Sequence, residues 1–291
     1  MNRFALFLGC TLPVRALNYE LAARKVATKL GIELVDLPFT CCGFPIEPVN
    51  RESAMLMALR NLALAEEKHL DIVALCSACT GTLTRFSRFE SEDRVTEAKL
   101  AGRLESLGMK YEHTVKVRHF ARMLYEDFGA EKLRETMSRS LKGLRVLTHY
   151  GCHYSRPSES YGSFDDAEAP HTLDDLVEAT GAESIDIPKK SACCGAALLA
   201  IDKSITLTMT ETKLQAAKDA GADALIVVCP FCGIAYDRGQ LEIEAQTNRR
   251  YGIPVLYLPQ LLGLAMGFSP REVGLQLNGV SAQTALAKVL G

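Results

Sequence analysis

Residues 39–45 read FTCCGFP, with two adjacent cysteines and a glycine directly after them. The same arrangement returns as ACCGA at residues 192–196. Adjacent cysteines seldom bond to each other, and packing alone rarely needs two small sulfur side chains in a row. The repetition therefore indicates a duplicated site and, around it, a duplicated fold.

All ten cysteines of the chain belong to one pattern, C…CC…CxxC, which occurs twice. The second copy follows the first by 142 residues at the first cysteine, by 152 at the adjacent pair and by 153 at the CxxC. No cysteine lies outside the pattern, so chance placement does not explain it. We predict two metal-binding sets of five, one in each copy: Cys10, Cys41, Cys42, Cys76 and Cys79, then Cys152, Cys193, Cys194, Cys229 and Cys232.

Each cysteine group follows a short apolar run that is typical of a buried strand. Helical patterns lie between these runs, at residues 18–31, 52–69 and 205–222. Strands that alternate with helices predict parallel sheets with helical cover. We therefore expect an α/β protein of two tandem, pseudo-symmetric domains, residues 1–142 and 143–291. The matched strands are FALFLGC (4–10) with VLTHYGC (146–152), IELVDLP (32–38) with ESIDIP (183–188), and DIVALCSAC (71–79) with ALIVVCPFC (224–232).

Composition excludes several classes of function. The 33 basic and 35 acidic residues nearly balance, so we expect no nucleic-acid partner. The longest apolar run, residues 255–268, is interrupted by Pro259, Gly263 and Gly267, so we expect no membrane span. The apolar run before Cys10 is too short for a signal peptide, and we predict a cytoplasmic protein. Cytoplasmic thiols stay reduced, which favours metal or redox chemistry over disulfides.

The cysteines fall at the carboxyl ends of predicted strands, which is where open α/β sheets bind their ligands. Helices that begin just after them would point N–H groups at thiolates or at the sulfides of a cluster. Structural zinc and a cubane cluster each need only four protein ligands. Five cysteines per copy therefore leave one thiolate spare, bridging two irons or reserved for chemistry. Zinc in one copy and a metal-free dithiol mechanism both stay open at this point.

Further details of the sequence resemble the CCG-domain proteins and, among them, the B subunits of heterodisulfide reductase. The resemblance covers nearly the whole chain, from FLGC to YLPQLLG. The family signature is a cysteine, a CCG and a CxxC at similar spacing, present here twice. Other matching stretches are ALRNLALAEE (58–67), HYGCH (149–153), RPSE (156–159), the FDD that opens the long insertion (164–166) and CPFC followed by YD (229–237).

The resemblance implies that each copy binds a noncubane 4Fe–4S cluster through all five of its cysteines. It implies a disulfide substrate, the mixed disulfide of coenzyme M and coenzyme B in that family, bound between the two clusters. It also implies two partners: a C subunit with cubane 4Fe–4S clusters and a flavin-containing A subunit. Relatives that occur where those coenzymes are absent suggest another small or protein-bound disulfide instead.

Two features depart from the family pattern and leave other functions open. The first CxxC reads CSAC, and Phe44 and Pro45 follow the first CCG, so we expect the entrance to the N-terminal site to differ from the family's. CCG domains also occur in lactate- and glycolate-oxidising systems and in some succinate dehydrogenases. The alternative function is therefore an electron-transfer subunit of another oxidoreductase that has no substrate of its own.

A few residues near the cysteines are expected to act on the substrate. His153 follows Cys152 directly and is our candidate for passing a proton to a departing thiolate. We interpret His149 as structural. Cations near the cysteines could hold an anionic substrate, and Lys190 is expected to be a solvated surface charge. The candidate substrate-binding cations are Arg15, Arg156 and Lys189.

Overall fold

A computed structural model describes residues 2–88, 94–162 and 164–290. Two four-stranded sheets lie within these ranges, one in each half of the chain. Their central strands consist mainly of buried apolar residues, as expected for sheets that are covered on both faces. The strands are β1 Asn2–Phe7, β2 Ile32–Asp36, β3 Asp71–Ala74, β4 Val117–His119, β5 Arg145–His149, β6 Glu183–Ile185, β7 Ala224–Val227 and β8 Val255–Tyr257.

Helices connect the strands and cover the sheets. Helices α2, α3 and α10 agree with the helical patterns predicted at 18–31, 52–69 and 205–222 to within a few residues. The α-helices are α1 Leu12–Arg15, α2 Leu17–Lys29, α3 Arg51–Glu67, α4 Ser77–Ser87, α5 Arg94–Ser106, α6 Phe120–Asp127, α7 Gly129–Glu135, α8 Ser158–Tyr161, α9 Thr172–Glu178, α10 Lys203–Asp219, α11 Pro230–Thr247, α12 Leu258–Ala265 and α13 Gln283–Leu290.

Both sheets have the same topology, which confirms the predicted duplication of an α/β fold. The first sheet has the strand order β2-β1-β3-β4, the second has the order β6-β5-β7-β8, and all pairings are parallel. The repeat extends to the helix caps. Asn50 caps α3 by accepting from Ser53 N, and Asp202 caps α10 by accepting from Ser204 N and Ile205 N. These two caps are 152 residues apart, the same offset as the CCG motifs.

One helix of each half packs against the other half. The helix after the fourth strand of each half lies on a helix of the other half, so α12 packs on α2 and α6 packs on α9. Tyr125 of α6 donates to Asp175 of α9 at 3.0 Å, and the Tyr19 and Tyr257 rings stack with centroids 4.2 Å apart. One apolar core therefore runs through both halves. The boundary between residues 142 and 143 stays a prediction.

None of the helices in the described parts of the chain has the length and apolar character needed to cross a lipid bilayer. The apolar run at 255–268, in particular, is divided between strand β8 and the short helix α12.

Candidate metal centre

Parallel pairing brings the cysteines of each half to one edge of its sheet. Phe7, Ala74 and His119 end β1, β3 and β4 and are paired in register in the first sheet. His149, Val227 and Tyr257 are paired in the same way at the ends of β5, β7 and β8. The first cysteine and the CxxC of each set come just after two of these strand ends, as the sequence predicts.

In the C-terminal half, each of the two adjacent cysteines lies beside a different cysteine from elsewhere in the chain. The Sγ atoms of Cys193 and Cys152 are 3.7 Å apart, and those of Cys194 and Cys232 are 3.3 Å apart. Backbone N–H groups of the turn donate to the pair, from Gly195 to Cys193 Sγ at 3.3 Å and from the next residue to Cys194 Sγ at 3.5 Å. The adjacent cysteines thus connect two thiol groups that come from distant parts of the chain.

The N-terminal half repeats this pairing, with Cys41 beside Cys10 and Cys42 beside Cys79. Hydrogen bonds from Cys41 and Cys79 lower the pKa of Cys42 to about 4. The hydrogen bond with Cys41, together with burial, raises the pKa of Cys10. So many thiols cannot all ionise at such short distances unless a positive ion offsets their charge. All ten cysteines are free of disulfides.

The two sets of thiols meet where the halves join. Cys76 Sγ of the first set lies 3.9 Å from Cys229 Sγ of the second. Cys76 is the N-cap of α4 and Cys229 is the N-cap of α11. Both thiols therefore lie at the first turn of a helix, although neither side chain makes a cap hydrogen bond there. This confirms the expectation of helix N-termini at the CxxC motifs. In contrast, no α-helix of the described ranges follows directly after either CCG or after Cys152.

Glycines allow the close approach of chain segments at both sites. Gly43 has φ +94°, and a Cβ there would lie 2.6 Å from Ala54 O of α3. Gly195 has φ +76°, and its Cβ would lie 2.8 Å from Met209 Sδ. Both glycines therefore form turns that a side chain would obstruct.

The donor chemistry of both sets fits an iron–sulfur cluster. Each set offers five thiols at one sheet edge, and thiolates are the ligands of such clusters. A buried polar atom beside each set lacks a hydrogen-bond partner among the described residues, Ser77 Oγ at the junction and His149 Nε2 under the second set. Iron–sulfur ligation would give these thiols the positive charge that they need.

His153 lies at a cavity beside the C-terminal set. Its Nδ1 is 3.0 Å from Cys152 Sγ, and its ring contacts the Phe44 ring edge-on at 5.3 Å. Burial lowers the pKa of His153. The cavity is lined by residues of both halves, including Phe44, Ser77 and Ala78 of the first and Cys152, His153 and Phe231 of the second. Phe44 and Ser77, the departures from the family pattern, thus contribute to the neighbourhood of the C-terminal set.

The three candidate cations do not lie together. Arg156 and Lys189 line one surface groove that leads to the second CCG, and Arg156 Nε donates to Ala167 O at 2.8 Å. Arg15 is exposed on α1 and does not line this groove. Lys190 is not the solvated charge that we expected, because its Nζ donates to Asp174 at 2.6 Å and its side chain is only 13% exposed.

Two side chains of the first half hold the strand end that carries Cys229. Tyr19 OH donates to Val228 O at 3.1 Å. His119 Nε2 donates to the same carbonyl at 2.8 Å, because His119 Nδ1 accepts from Ala121 N and therefore carries no proton. Burial lowers the pKa of His119 to about 4. The relative placement of the two thiol sets thus depends on residues outside the cysteine motifs.

Sequence reasoning missed three buried polar residues at the site. His149 was assigned a structural role, yet it lies within 4.8 Å of the Cys194 and Cys232 thiols. Lys213 donates to the carbonyls of Lys189 and Lys190 just before the second CCG, at 2.8 Å each. In the sequence, Ser77 stands out only as part of CSAC. Comparing the two copies position by position could have found all three, because their counterparts are Phe7, Asn61 and Pro230.

A family model described as "Cysteine-rich domain" (CCG) matches the chain twice, at residues 4–84 and 146–236. Together with the duplicated fold and its ten thiols, this shows that the chain belongs to the CCG cysteine-rich domain family. The matched ranges contain all ten cysteines, one complete set in each copy.

The chain is 37% identical to the B subunit of the ferredoxin:CoB-CoM heterodisulfide reductase of Methanosarcina mazei, over 99% of this chain and 97% of the relative. It is 30% identical to the membrane anchor subunit of the 8-methylmenaquinol:fumarate reductase of Wolinella succinogenes, over 97% and 98%. A crystal structure of a hypothetical protein from Helicobacter pylori superimposes with a TM-score of 0.79 at 17% identity. That match covers 96% of this chain and 52% of the other, and it supports the fold alone.

Proposed function

We propose that the chain is the catalytic B subunit of a heterodisulfide-reductase-like complex. It reduces a disulfide, or forms one in the reverse direction, at the junction of its two thiol sets. The substrate is CoM-S-S-CoB or a related disulfide of a sulfur carrier. The observation that carries this proposal is the 3.9 Å approach of Cys76 Sγ and Cys229 Sγ, because a disulfide at this junction would have one thiol set near each of its sulfur atoms.

The proposed cofactors are two noncubane 4Fe–4S clusters, each held by the five cysteines of one set. A cluster bound there would supply single electrons and iron atoms with affinity for thiolates. The reaction consumes the disulfide, two electrons and two protons and releases two thiols. The chain's own thiolates hold the cofactors, and the largely apolar cavity beside Cys152, about 30 Å³ in volume, has room for a reacting sulfur atom of the substrate but not for the whole molecule.

His153 is the proposed proton donor for a departing thiolate. Its ring lies at the cavity and its Nδ1 is already within 3.0 Å of a sulfur atom. Arg156 and Lys189 are proposed to bind an anionic part of the substrate at the outer groove, and Arg15 to do so near Cys10. Electrons would come from a C subunit with cubane clusters and, behind it, a flavin-containing A subunit. We propose that the complex works in the cytoplasm, where thiols stay reduced.

The test begins with the chain purified anaerobically together with the subunits that accompany it. Two clusters predict about eight irons per chain beyond the iron that belongs to the accompanying subunits. The protein is then given CoM-S-S-CoB with reduced methyl viologen as the electron donor, and free thiols are counted. We expect two thiols per disulfide and a new EPR signal from thiol-bound iron. A chain that holds only zinc, or about four irons, would contradict the two-cluster proposal.

The role of His153 has a matched test. H153Q should slow thiol release by roughly 100-fold at unchanged iron content, since general acid catalysis contributes about that much or more. H69Q changes an exposed histidine and should leave the rate as it is. Equal rates in H153Q and wild type would remove His153 from the mechanism.

The similarity to the anchor subunit of a fumarate reductase supports a second candidate function, that of an electron-transfer subunit without a substrate of its own. This candidate predicts the same iron content. It also predicts no thiol release and no new EPR signal with CoM-S-S-CoB or with any other disulfide offered. A third possibility, a metal-free dithiol mechanism, predicts a colourless protein that is active without iron.

A further inference from the structure

Because the chain is duplicated, the residues around one thiol set can be compared position by position with those around the other. The cysteines, glycines and helix caps agree between the copies, but the buried side chains that support the two sets differ in polarity. The N-terminal set has apolar or neutral residues at three positions where the C-terminal set has hydrogen-bond donors or a cation. The matched pairs are Phe7 with His149, Leu83 with Tyr236, and Asn61 with Lys213.

His149 ends β5 directly beneath the C-terminal set. It is 1% exposed, and its Nε2 has no hydrogen-bond partner among the described residues. A Cβ on Gly151 would lie 3.5 Å from both His149 Nε2 and Cys232 Sγ, so these two atoms face the same spot. Tyr236 OH lies 3.5 Å from the other ring nitrogen, Nδ1, to which it can donate. That tautomer leaves Nε2–H free to donate toward sulfur.

The N-terminal half offers no such donor at the matched positions. Phe7 is fully buried and its ring packs against Phe39, with centroids 5.1 Å apart. Leu83, which stands where Tyr236 stands in the other half, is also fully buried. Neither side chain can donate a hydrogen bond to a thiolate or sulfide.

Lys213 and Asn61 both hold backbone carbonyls near their CCG motif, but they differ in charge. Lys213 is 6% exposed, and its Nζ holds the carbonyls of Lys189 and Lys190 ahead of the second CCG. Asn61 is fully buried, and its Nδ2 holds the Cys41 carbonyl at 3.1 Å. The ammonium group brings a positive charge under the C-terminal set and interacts favourably with the Cys232 thiolate. The amide brings none.

We infer that the C-terminal thiol set holds its cluster at a higher reduction potential than the N-terminal set, because His149 and Lys213 stabilise added negative charge there. Hydrogen bonds to cluster sulfurs and nearby charge are among the means by which a protein tunes such a potential. An electron that enters the chain therefore comes to rest at the C-terminal set, beside His153. The inference rests on the proposed binding of a cluster at each set.

The test is a redox titration of the anaerobic protein with dithionite, followed by EPR. H149F copies Phe7, and H149Q keeps a side-chain N–H donor. K213N copies Asn61, and K213R keeps the charge. We expect two waves in the wild type. H149F and K213N should each lower only the higher of the two reduction potentials. The expected shift is about 59 mV, which corresponds to a tenfold change in the oxidised-to-reduced ratio for one electron. H149Q and K213R should change that ratio less than about threefold.

Several results would overturn the inference: a single potential for both sites, a shift of the lower wave, or no shift in either H149F or K213N. If the H149F protein does not bind a cluster at the C-terminal set, the inference is judged on the potential of K213N alone. That variant should keep its cluster, because among the described residues Lys213 is hydrogen-bonded only to carbonyls. Pulsed EPR on protein with nitrogen-15 histidine adds a check, because the strong coupling of a directly bound nitrogen would make His149 a ligand and refute its role as a donor.

This test is separate from that of the proposed function. The titration uses no disulfide, so ordered potentials without thiol release would refute only the catalytic proposal. Thiol release with equal potentials would refute only the inference. A protein without iron would refute both.

Discussion

His119 allows the junction between the two halves to be tested by pH. Its imidazole is buried and both ring nitrogens are engaged, Nε2 as donor to Val228 O and Nδ1 as acceptor from Ala121 N. Only the neutral ring can make both contacts. Burial accordingly lowers the pKa of His119 from 6.5 to about 4.

The sign and size of the effect follow from proton linkage. Between pH 6.5 and pH 4 the unfolded chain binds a proton at this histidine that the native protein does not bind. The contribution of His119 to stability is therefore complete above pH 6.5 and is lost as the pH falls through this window. With native and unfolded pKa values of about 4 and 6.5, the loss between pH 7 and pH 5 is about 2 kcal/mol.

The assay compares urea unfolding at pH 7 and at pH 5 for the anaerobic protein and two variants. H119N keeps an acceptor that can cap α6, but it cannot titrate. We expect the wild type to lose about 2 kcal/mol more than H119N between the two pH values. H69N is the matched control, because His69 is exposed and its φ of +53° suits asparagine. Other groups titrate alike in all three proteins and cancel.

The reasoning is refuted if H119N loses as much stability as the wild type, since another group would then cause the acid sensitivity. It is also refuted if H69N removes the difference. H119N should in addition be less stable than the wild type at pH 7 by about 1 kcal/mol, because the Val228 carbonyl loses one of its two donors and keeps the other, Tyr19.

Three further predictions concern the thiol sets and their surroundings. Serine at Cys41 or Cys42 should remove the noncubane character of the N-terminal cluster by Mössbauer spectroscopy, and unchanged spectra in both variants would contradict five-cysteine binding. G43A should lower the melting temperature strongly, because its Cβ would overlap backbone at 2.6 Å, whereas G102A, in open space on α5, should not lower it. Y19F should destabilise the protein by about 1 kcal/mol in urea unfolding, through loss of the bond to Val228 O.

Much of the fold could be read from the sequence because the chain repeats itself. The apolar runs before the cysteines became β1, β3, β5 and β7, and the helical periodicity at 52–69 and 205–222 became α3 and α10. The parallel direction of the strands followed from the alternation of strands and helices. The short helices α7, α8 and α9 were not predicted, since their few residues carry no clear periodicity. Lys190 was misjudged because its ion pair with Asp174 joins segments that are distant in sequence.

The sequence by itself determined the two thiol sets, the glycine turns and the parallel α/β architecture, because spacing and local backbone preference are properties of short segments. Only the tertiary structure decided that Cys76 and Cys229 meet at 3.9 Å and that Phe44 reaches His153. It also decided that His149 faces the thiols of Cys194 and Cys232. These contacts depend on how helices of one half pack on the other and on how strand ends align, and neither is encoded in any single motif.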